Sequence, residues 1–380
     1  MTIGQRSVFS FQQKTLKIGM NALSEKTPKH GGDVYGLARS LGLGLQDLLD
    51  FSANINPLGF PPGLAGVVSR TLADIVHYPD RRCHRLKEAL AAYHRLTPEE
   101  ILVGNGSTEL IYLIARALEP RRALVVAPAF SEYEQALRVA QIPVDFLLTR
   151  EDRNFTLDGP LAPGEASLVF LANPASPSGA LLSPDHLLPV VAALDEAGVH
   201  LVLDEAFVDF AEEASLKTVL GHFPGLMILR SFTKFFGVPG MRLGYLLAAP
   251  ALIERLAAVQ EPWSVNTLAQ AMGWACLEDE AFMAQSRALV ATERAYLLGR
   301  LEAQPGLAPF PGRANYLLVK LTRPGWTAAR LQKELLGQGI IIRDASNFRG
   351  LDERYFRVAV RRRAENQRLL QALAHCLEGG

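Results

Sequence analysis

The chain has 380 residues, which is long for one compact core and predicts two domains or one large α/β domain with a smaller partner. Basic and acidic residues balance at 39 each, and this balance argues against binding to nucleic acid or to an anionic membrane surface. The three cysteines lie far apart without C-x-x-C spacing, which argues against a disulfide framework or a metal site and favours a reducing, cytoplasmic location.

The first part of the chain predicts little regular structure. Residues 1–28 look irregular and have no apolar run of signal-peptide length. No stretch of the chain approaches the roughly 18 apolar residues of a membrane span. Residues 33–43 predict a short helix, and residues 48–59 an extended piece that ends in a turn at Asn56-Pro57.

Strands and helices alternate regularly from residue 84 onward. Residues 84–96 predict an amphipathic helix. The following pieces are a strand, a glycine-containing turn and a helix in 99–118, a strand in 122–130, a helix in 131–141, a strand and loop in 166–179, a helix in 184–198, and strands in 199–210, 226–232 and 241–250. This alternation predicts a mostly parallel sheet with helices on both faces.

The last third of the chain has a different pattern. Residues 250–304 are rich in helix, and strands are predicted in 315–321, 339–346 and 355–361, with a helix in 328–339. We therefore expect residues 51–262 to form a large domain and residues 263–380 a smaller α+β domain. Residues 1–50 are expected to form an N-terminal arm that is part of the smaller domain.

Polar or aromatic residues follow the predicted strands one by one, and parallel sheets bind ligands at that end of their strands. The turn at Gly106, Ser107 and Thr108 opens a helix and predicts either a phosphate site or an ordinary N-cap. Asp204 ends a very apolar strand, so it needs a cationic partner, which is a protonated ring nitrogen or an arginine.

Lys234 lies in the stretch RSFTKFFGVPGMR, between Thr233 and two phenylalanines. Aromatic walls would lower the pKa of its amine and favour Schiff-base chemistry, whereas a single lysine is usually a surface residue. Ser231, Thr233 and Arg242 suit a phosphate. Arg357, in a later strand, suits a carboxylate or is an edge-strand charge.

Three segments in this order resemble the fold-type I pyridoxal-phosphate enzymes, within them the histidinol-phosphate aminotransferase branch. The segments are NPASPSG (173–179), LDEAFVDF (203–210) and SFTKFFGVPGMRLGY (231–245). The resemblance covers the chain from about residue 30 to its end. It implies a large domain with a mostly parallel mixed sheet flanked by helices, a smaller α+β domain, and pyridoxal 5'-phosphate as cofactor.

The resemblance also implies a role for each matching residue. Lys234 would hold the cofactor as a Schiff base and act in catalysis with Asp204, which would pair with the pyridinium nitrogen. The cofactor phosphate would be bound by Gly106, Ser107, Thr108, Ser231, Thr233, Arg242 and, from a neighbouring subunit, Tyr78, while Phe130 would stack on the ring and Asn173 would bond its phenolic oxygen. A homodimer is therefore implied.

Two positions depart from the family pattern. Phe207 stands where the family usually has a tyrosine that donates to the phenolic oxygen, so one donor is lost. Phe130 stands where many relatives have tyrosine, which changes little about stacking.

The segments KHGGDVYGLARSLGL (29–43), LLDFSANINPLGFP (48–61) and GIIIRDASNFRGL (339–351) resemble the L-threonine-O-3-phosphate decarboxylases of cobalamin biosynthesis. This resemblance makes His30, Asn54 and Arg343 candidates for binding a small phosphorylated amino acid. The fold-type I resemblance adds Asn173 to the substrate site and implies that Arg357 holds the substrate α-carboxylate. His30 has a plain alternative as a turn histidine. The implied reaction is decarboxylation, with a histidinol-phosphate or related aminotransferase as the alternative and a non-catalytic binding module as a third hypothesis.

Overall fold

The structure is a computed structural model that describes residues 31–378, so the predicted irregular leader and His30 lie outside the described residues. The helices are α1 (Val34–Leu41), α2 (Leu64–Thr71), α3 (His84–His94), α4 (Gly106–Leu118), α5 (Ser131–Val139), α6 (Pro184–Glu196), α7 (Phe232–Phe235), α8 (Pro250–Ala257), α9 (Thr267–Leu277), α10 (Glu280–Glu302), α11 (Ala328–Leu336) and α12 (Arg363–Glu378). The strands are β1 (Leu49–Asp50), β2 (Ile101–Gly104), β3 (Ala123–Ala127), β4 (Val144–Leu148), β5 (Leu168–Ala172), β6 (His200–Asp204), β7 (Leu226–Ser231), β8 (Gly244–Ala248), β9 (Leu307–Pro309), β10 (Tyr316–Leu321), β11 (Ile340–Ile341), β12 (Arg343–Asp344) and β13 (Tyr355–Ala359).

A seven-stranded sheet forms the centre of the fold, in the order β2-β8-β7-β6-β5-β3-β4. The strands from β7 to β4 run parallel, while β8 runs antiparallel to both of its neighbours. The predicted mostly parallel sheet is therefore confirmed. Strand β4, which the sequence reading did not identify, is a half-exposed edge strand, and its residues lack the continuous apolar character of a buried parallel strand.

Helices cover both faces of this sheet because its inner strands are apolar on both sides. Every residue of β3, β5 and β7 is buried. One core cluster includes Leu203 and Ile228, and a second includes Val202 and Leu229, so alternate residues of β6 and β7 point to opposite faces. Within residues 31–378, no helix has both the length and the apolar character needed to cross a membrane.

A second, smaller sheet has four antiparallel strands in the order β12-β13-β10-β9. The short strand β1 pairs with β11, with Leu49 opposite Ile340. This pairing places residues 49 and 50 beside the C-terminal part of the chain. Helix α9 and the first half of α10 pack in the core cluster of the large sheet through Met272, Cys276 and Phe282. The domain boundary predicted at residue 262 assigns α9 and α10 to the smaller domain, although these side chains pack with the large sheet.

Strand β2 and helix α4 approach β8 closely at one end of the large sheet. Gly106 begins α4 with a φ of +77°, and a Cβ atom there would lie 2.6 Å from the Nη2 atom of Arg242. Gly244 of β8 lies against the backbone of the same turn, where a Cβ atom would lie 2.4 Å from the amide nitrogen of Ser107. Gly106 needs glycine because of its positive φ, and Gly244 because the backbone of this turn occupies the space of a side chain.

Candidate active site

A cavity of about 780 Å³ opens at the carboxyl ends of the parallel strands, where sheets of this type bind ligands. Strand ends and loops of the large sheet line one part of it, and β12, β13 and the loop after β12 line another. The predicted site residues that line it are Asn54, Ser107, Thr108, Phe130, Asp204, Ser231, Thr233, Lys234, Arg242, Arg343 and Arg357. The structure thus brings most of the predicted residues to one place.

Lys234 lies on the single turn of helix α7, directly after β7, and lines the cavity. Burial lowers the pKa of its amine, the cations Arg357 and Arg242 add to this shift and Asp204 opposes it, so that the pKa is about 8. An amine with this pKa is partly neutral near physiological pH, and a neutral amine is a nucleophile. The site therefore provides a lysine suited to attack a carbonyl carbon.

Asp204 ends strand β6 and is buried beneath the cavity. Its carboxylate accepts hydrogen bonds from the hydroxyl of Tyr133 and, at 2.9 Å, from the amide of Ala206. Burial raises the pKa of Asp204, whereas these two hydrogen bonds and the nearby Lys234 lower it. Neither hydrogen-bond donor is cationic, so a cationic group in the cavity would be a favourable partner for this carboxylate.

The hydroxyl-rich end of the cavity lies where α4 and α7 begin. Ser107 and Thr108 occupy the first turn of α4, where backbone amides and the helix dipole favour an anion. The side-chain oxygens of Ser231 and Thr233 lie 2.8 Å apart, and both residues are buried. With the Arg242 guanidinium against this turn, the group has the composition of a phosphate site.

Arg343 and Arg357 form a pair of cations at the other end of the cavity. They lie directly opposite each other on β12 and β13. Burial, together with the nearby Arg343, lowers the pKa of Arg357 to about 10, while Tyr316 opposes this shift. Because like charges on opposite positions of paired strands repel, this arrangement favours ligands that carry more than one negative charge.

Two buried polar atoms at the same end of the cavity lack a hydrogen-bond partner within residues 31–378. Asn54 is buried, and its Oδ1 atom has no hydrogen-bond partner within residues 31–378. The Nε atom of Arg357 is likewise buried without a partner among those residues. Unpaired buried polar atoms are costly, so both point to a polar ligand.

Asn173 does not line the cavity, although the resemblance gave it a role at the cofactor ring and the substrate. Its side-chain nitrogen donates to the carbonyl of Leu182 at 3.0 Å, and its side-chain oxygen accepts from the amide of Leu182 at 2.8 Å. These two bonds fix the base of the loop after β5. From the same loop, Ser176 lines the cavity instead.

Two further predicted residues, Tyr78 and Gly106, do not line the cavity. Tyr78 is 80% exposed, does not line the cavity and stacks on Trp263 with ring centroids 4.7 Å apart. Gly106 shapes the α4 turn without lining the cavity. His30 lies outside the described residues.

The aromatic positions that depart from the family pattern both line the cavity. Phe207 is buried and packs edge-on against Tyr316, with centroids 4.9 Å apart. Phe130 packs edge-on against Tyr133. Sequence reading missed Tyr133 as a partner of Asp204, although its position three residues after Phe130 places both on one side of a helix start.

Comparisons with known proteins agree with this geometry. The family described as aminotransferase class I and II matches residues 46–373. The chain is 39% identical over 355 residues to the threonine-phosphate decarboxylase of Salmonella typhimurium, covering 92% of this chain and 97% of that protein.

Two solved structures are similar over most of the chain. The L-threonine-O-3-phosphate decarboxylase of Porphyromonas gingivalis has a TM-score of 0.79 and 32% identity, covering 86% of this chain and 99% of that one. The histidinol-phosphate aminotransferase of Clostridium acetobutylicum has a TM-score of 0.81 and 28% identity, covering 88% and 100%. The predicted fold and family are therefore confirmed, and the chain belongs to the aminotransferase class I and II family.

Proposed function

We propose that the chain is a pyridoxal-phosphate-dependent decarboxylase that converts L-threonine O-3-phosphate to (R)-1-aminopropan-2-yl phosphate in cobalamin biosynthesis. The observation that carries the substrate class is the Arg343–Arg357 pair in the cavity wall. A substrate with both a phosphate ester and a carboxylate supplies two anions to these two cations. The 39% identity to a threonine-phosphate decarboxylase supports the same substrate.

The residues that line the cavity fit pyridoxal phosphate by their chemistry. Ser107, Thr108, Ser231, Thr233 and Arg242 would hold its phosphate. The buried carboxylate of Asp204, whose hydrogen-bond donors are neutral, would hold its protonated ring nitrogen. Lys234, with its lowered pKa, would hold its aldehyde carbon, and Phe130 would cover a face of its ring.

When bound, this cofactor accepts the electron pair that a departing carboxylate leaves on the Cα atom. The chain's own residues orient the substrate and move one proton. Arg357 and Arg343 bind the two anionic groups, with Asn54 beside them. The bond between Cα and the carboxylate breaks, CO₂ leaves, and Lys234 is placed to deliver the proton that replaces it at Cα.

A histidinol-phosphate aminotransferase is the second candidate, because a solved structure of that description has a TM-score of 0.81 to this chain. Histidinol phosphate has a phosphate ester but no carboxylate. It would therefore leave one of the paired arginines without an anion in its half of the reaction, whereas a dicarboxylic 2-oxo acid in the other half would supply two anions. The decarboxylase pairs both cations with a single substrate, and we favour it for that reason.

We further propose a cytoplasmic homodimer. Leu72, Ile75, Val76 and Tyr78 form an apolar patch, and each is at least 53% exposed. Exposed apolar side chains that lie this close together are typical of interaction sites. A second copy that covers the patch would bring Tyr78 toward a neighbouring active site, the role that the family resemblance implies for it.

The test is an incubation of the holoenzyme with threonine phosphate in the absence of any 2-oxo acid. We expect CO₂ and aminopropanol phosphate in equal amounts. Product formation only with an added 2-oxo acid, or turnover of histidinol phosphate without CO₂ release, would support the aminotransferase instead. Omission of pyridoxal phosphate from the resolved apoenzyme should abolish either activity.

A further inference from the structure

Ser176 lies in the loop between β5 and α6, at the boundary between the two sheets. The side chain of Asn173 fixes the base of this loop through its two hydrogen bonds to Leu182. Ser176 is 9% exposed and lines the cavity. The Ser176 hydroxyl therefore lies on a loop of the large sheet and faces residues of the small sheet.

Tyr316 and Arg357 are the residues of the small sheet that it faces. In the register of β10 and β13, Leu318 lies opposite Arg357 and Tyr316 opposite Ala359, so Tyr316 and Arg357 share one face. The Arg357 guanidinium lies 5.1 Å from the centre of the Tyr316 ring. Its Nη1 atom donates to the Ser176 hydroxyl at 3.2 Å.

The direction of each hydrogen bond in this group follows from its chemistry. A guanidinium only donates, so the Ser176 oxygen accepts from Arg357. Tyr316 donates its own proton to the carbonyl of Ala175 at 2.8 Å. This bond ties Tyr316 of the small sheet to the residue directly before Ser176.

Little else holds the Arg357 guanidinium in place. Its Nη2 atom donates a long hydrogen bond of 3.4 Å to the carbonyl of Ser52. Its Nε atom has no partner within residues 31–378. A guanidinium binds a carboxylate through two parallel hydrogen bonds only when its plane is correctly oriented, so the group that fixes this plane affects recognition.

We propose that Ser176 and Tyr316 are positioning residues that fix the plane of the Arg357 guanidinium across the boundary of the two sheets. In this way they set the preference of the site for amines that carry an α-carboxylate over the same amines without one. The proposal rests on the proposed function in one respect, which is the assignment of Arg357 to the substrate carboxylate.

The experiment compares Ser176→Ala and Ser176→Thr with a matched control, Ser178→Ala. Ser178 is buried in the same loop, but its hydroxyl accepts from the amide of Ala180 and does not line the cavity. Two probes are used: threonine phosphate as substrate, and aminopropanol phosphate, which lacks the carboxylate, as inhibitor. Affinity for pyridoxal phosphate is measured by absorbance titration of each apoenzyme.

For Ser176→Ala we expect KM for threonine phosphate to rise about 10- to 150-fold, the effect of a lost hydrogen bond to a charged group. The inhibition constant of aminopropanol phosphate and the affinity for pyridoxal phosphate should change less than about twofold, since neither ligand meets the carboxylate site. Ser176→Thr keeps the hydroxyl, so its KM should lie close to the wild-type value. Tyr316→Phe keeps the ring against Arg357 but loses the hydrogen bond to the Ala175 carbonyl beside Ser176, so it should reproduce part of the Ser176→Ala effect.

An equal loss of affinity for both probes would overturn the proposal, as would the same KM rise in Ser178→Ala. A fall in pyridoxal-phosphate affinity with unchanged KM would show instead that Ser176 acts on the cofactor. Absence of CO₂ release by the wild-type holoenzyme would overturn the proposed function alone. In that case calorimetric binding of the same two probes to wild type and Ser176→Ala still decides the role of Ser176.

Discussion

Glu205 and Arg230 form an ion pair of 2.8 Å between Nε and Oε2, and both side chains are fully buried. Glu205 directly follows Asp204 in the chain, and Arg230 directly precedes Ser231. Neither Glu205 nor Arg230 lines the cavity, whereas Asp204 and Ser231 do. The pair therefore joins the ends of β6 and β7 behind the site and fixes the spacing of the two residues in front of it.

We expect Arg230→Met to destabilise the fold strongly. The substitution leaves Glu205, Asp209 and Glu212 together without the central guanidinium that they share. Removal of one partner from a buried pair costs about 3–5 kcal/mol. Urea denaturation of the apoprotein measures this change. Arg122→Met, which removes a guanidinium from surface ion pairs, is the control and should cost less than about 1 kcal/mol.

The attachment of pyridoxal phosphate to the apoenzyme should depend on the protonation of Lys234. Burial, Arg357 and Arg242 hold the pKa of this amine at about 8, so the attachment rate should rise with pH and level off above that value. Arg357→Gln removes a neighbouring cation and should move the midpoint up. Asp204→Asn removes the opposing anion and should move it down. Stopped-flow absorbance gives the midpoints, and shifts of the same sign in both variants would contradict the assignment.

Lys234→Met should make the apoprotein more stable near neutral pH. The folded pKa of about 8 lies below the ordinary 10.5, so the unfolded chain binds more protons and the wild type gains stability as pH rises from 8 to 10.5. At pH 7 the variant should be more stable by on the order of 3 kcal/mol. The difference should shrink toward pH 10. Lys333→Met, which removes a lysine at an exposed position on α11, is the control variant.

Lys234→Met should also abolish catalysis and prevent borohydride from fixing pyridoxal phosphate to the chain. The amine that moves the proton at Cα is gone, and the loss of a general acid–base group alone costs about 10²–10⁴-fold in rate. Mass spectrometry of the reduced protein locates the cofactor. Labelled protein recovered from the variant would show that another lysine holds it.

Arg343→Ala should weaken the binding of phosphorylated substrates. Its Nη2 atom donates to Asn347 at 2.7 Å in the loop that lines the cavity, so the guanidinium is held at the cavity wall. Loss of charge-assisted hydrogen bonds to a phosphate ester is worth about 1.5–3 kcal/mol, which is roughly a 10- to 150-fold rise in KM. Steady-state kinetics with threonine phosphate measures it. An unchanged KM would remove Arg343 from the substrate site.

Ile75→Glu should dissociate the proposed dimer. The side chain is 56% exposed within an apolar patch, and a carboxylate there would be desolvated against a second copy. Light scattering or sedimentation at micromolar protein concentration gives the oligomeric state. Val139→Glu alters an apolar residue with 63% exposure elsewhere and serves as the control. A dimer that survives the first change would move the interface to another surface.

Much of this architecture is predictable from sequence because buried parallel strands have continuous apolar runs and their ends carry polar residues. Asp204 and Lys234 were found in that way. Strand β4 was missed because an exposed edge strand lacks such a run. The conformation of a loop is also hard to predict from sequence. Asn173 and Ser176 lie three residues apart in one loop, and only Ser176 lines the cavity. Only the bonds of Asn173 to Leu182, which depend on the folded loop, distinguish the two.

The cations gathered around Lys234 have a consequence for the lifetime of the protein in a cell. Arg357 and Arg242 both act against the charged form of the lysine, so the ligand-free fold carries a strain that anionic ligands relieve. A protein that binds ligand only when folded is opened less often in its presence, and opened chains are the ones that proteases cut. Binding of anionic ligands in this cavity should therefore slow the degradation of the chain.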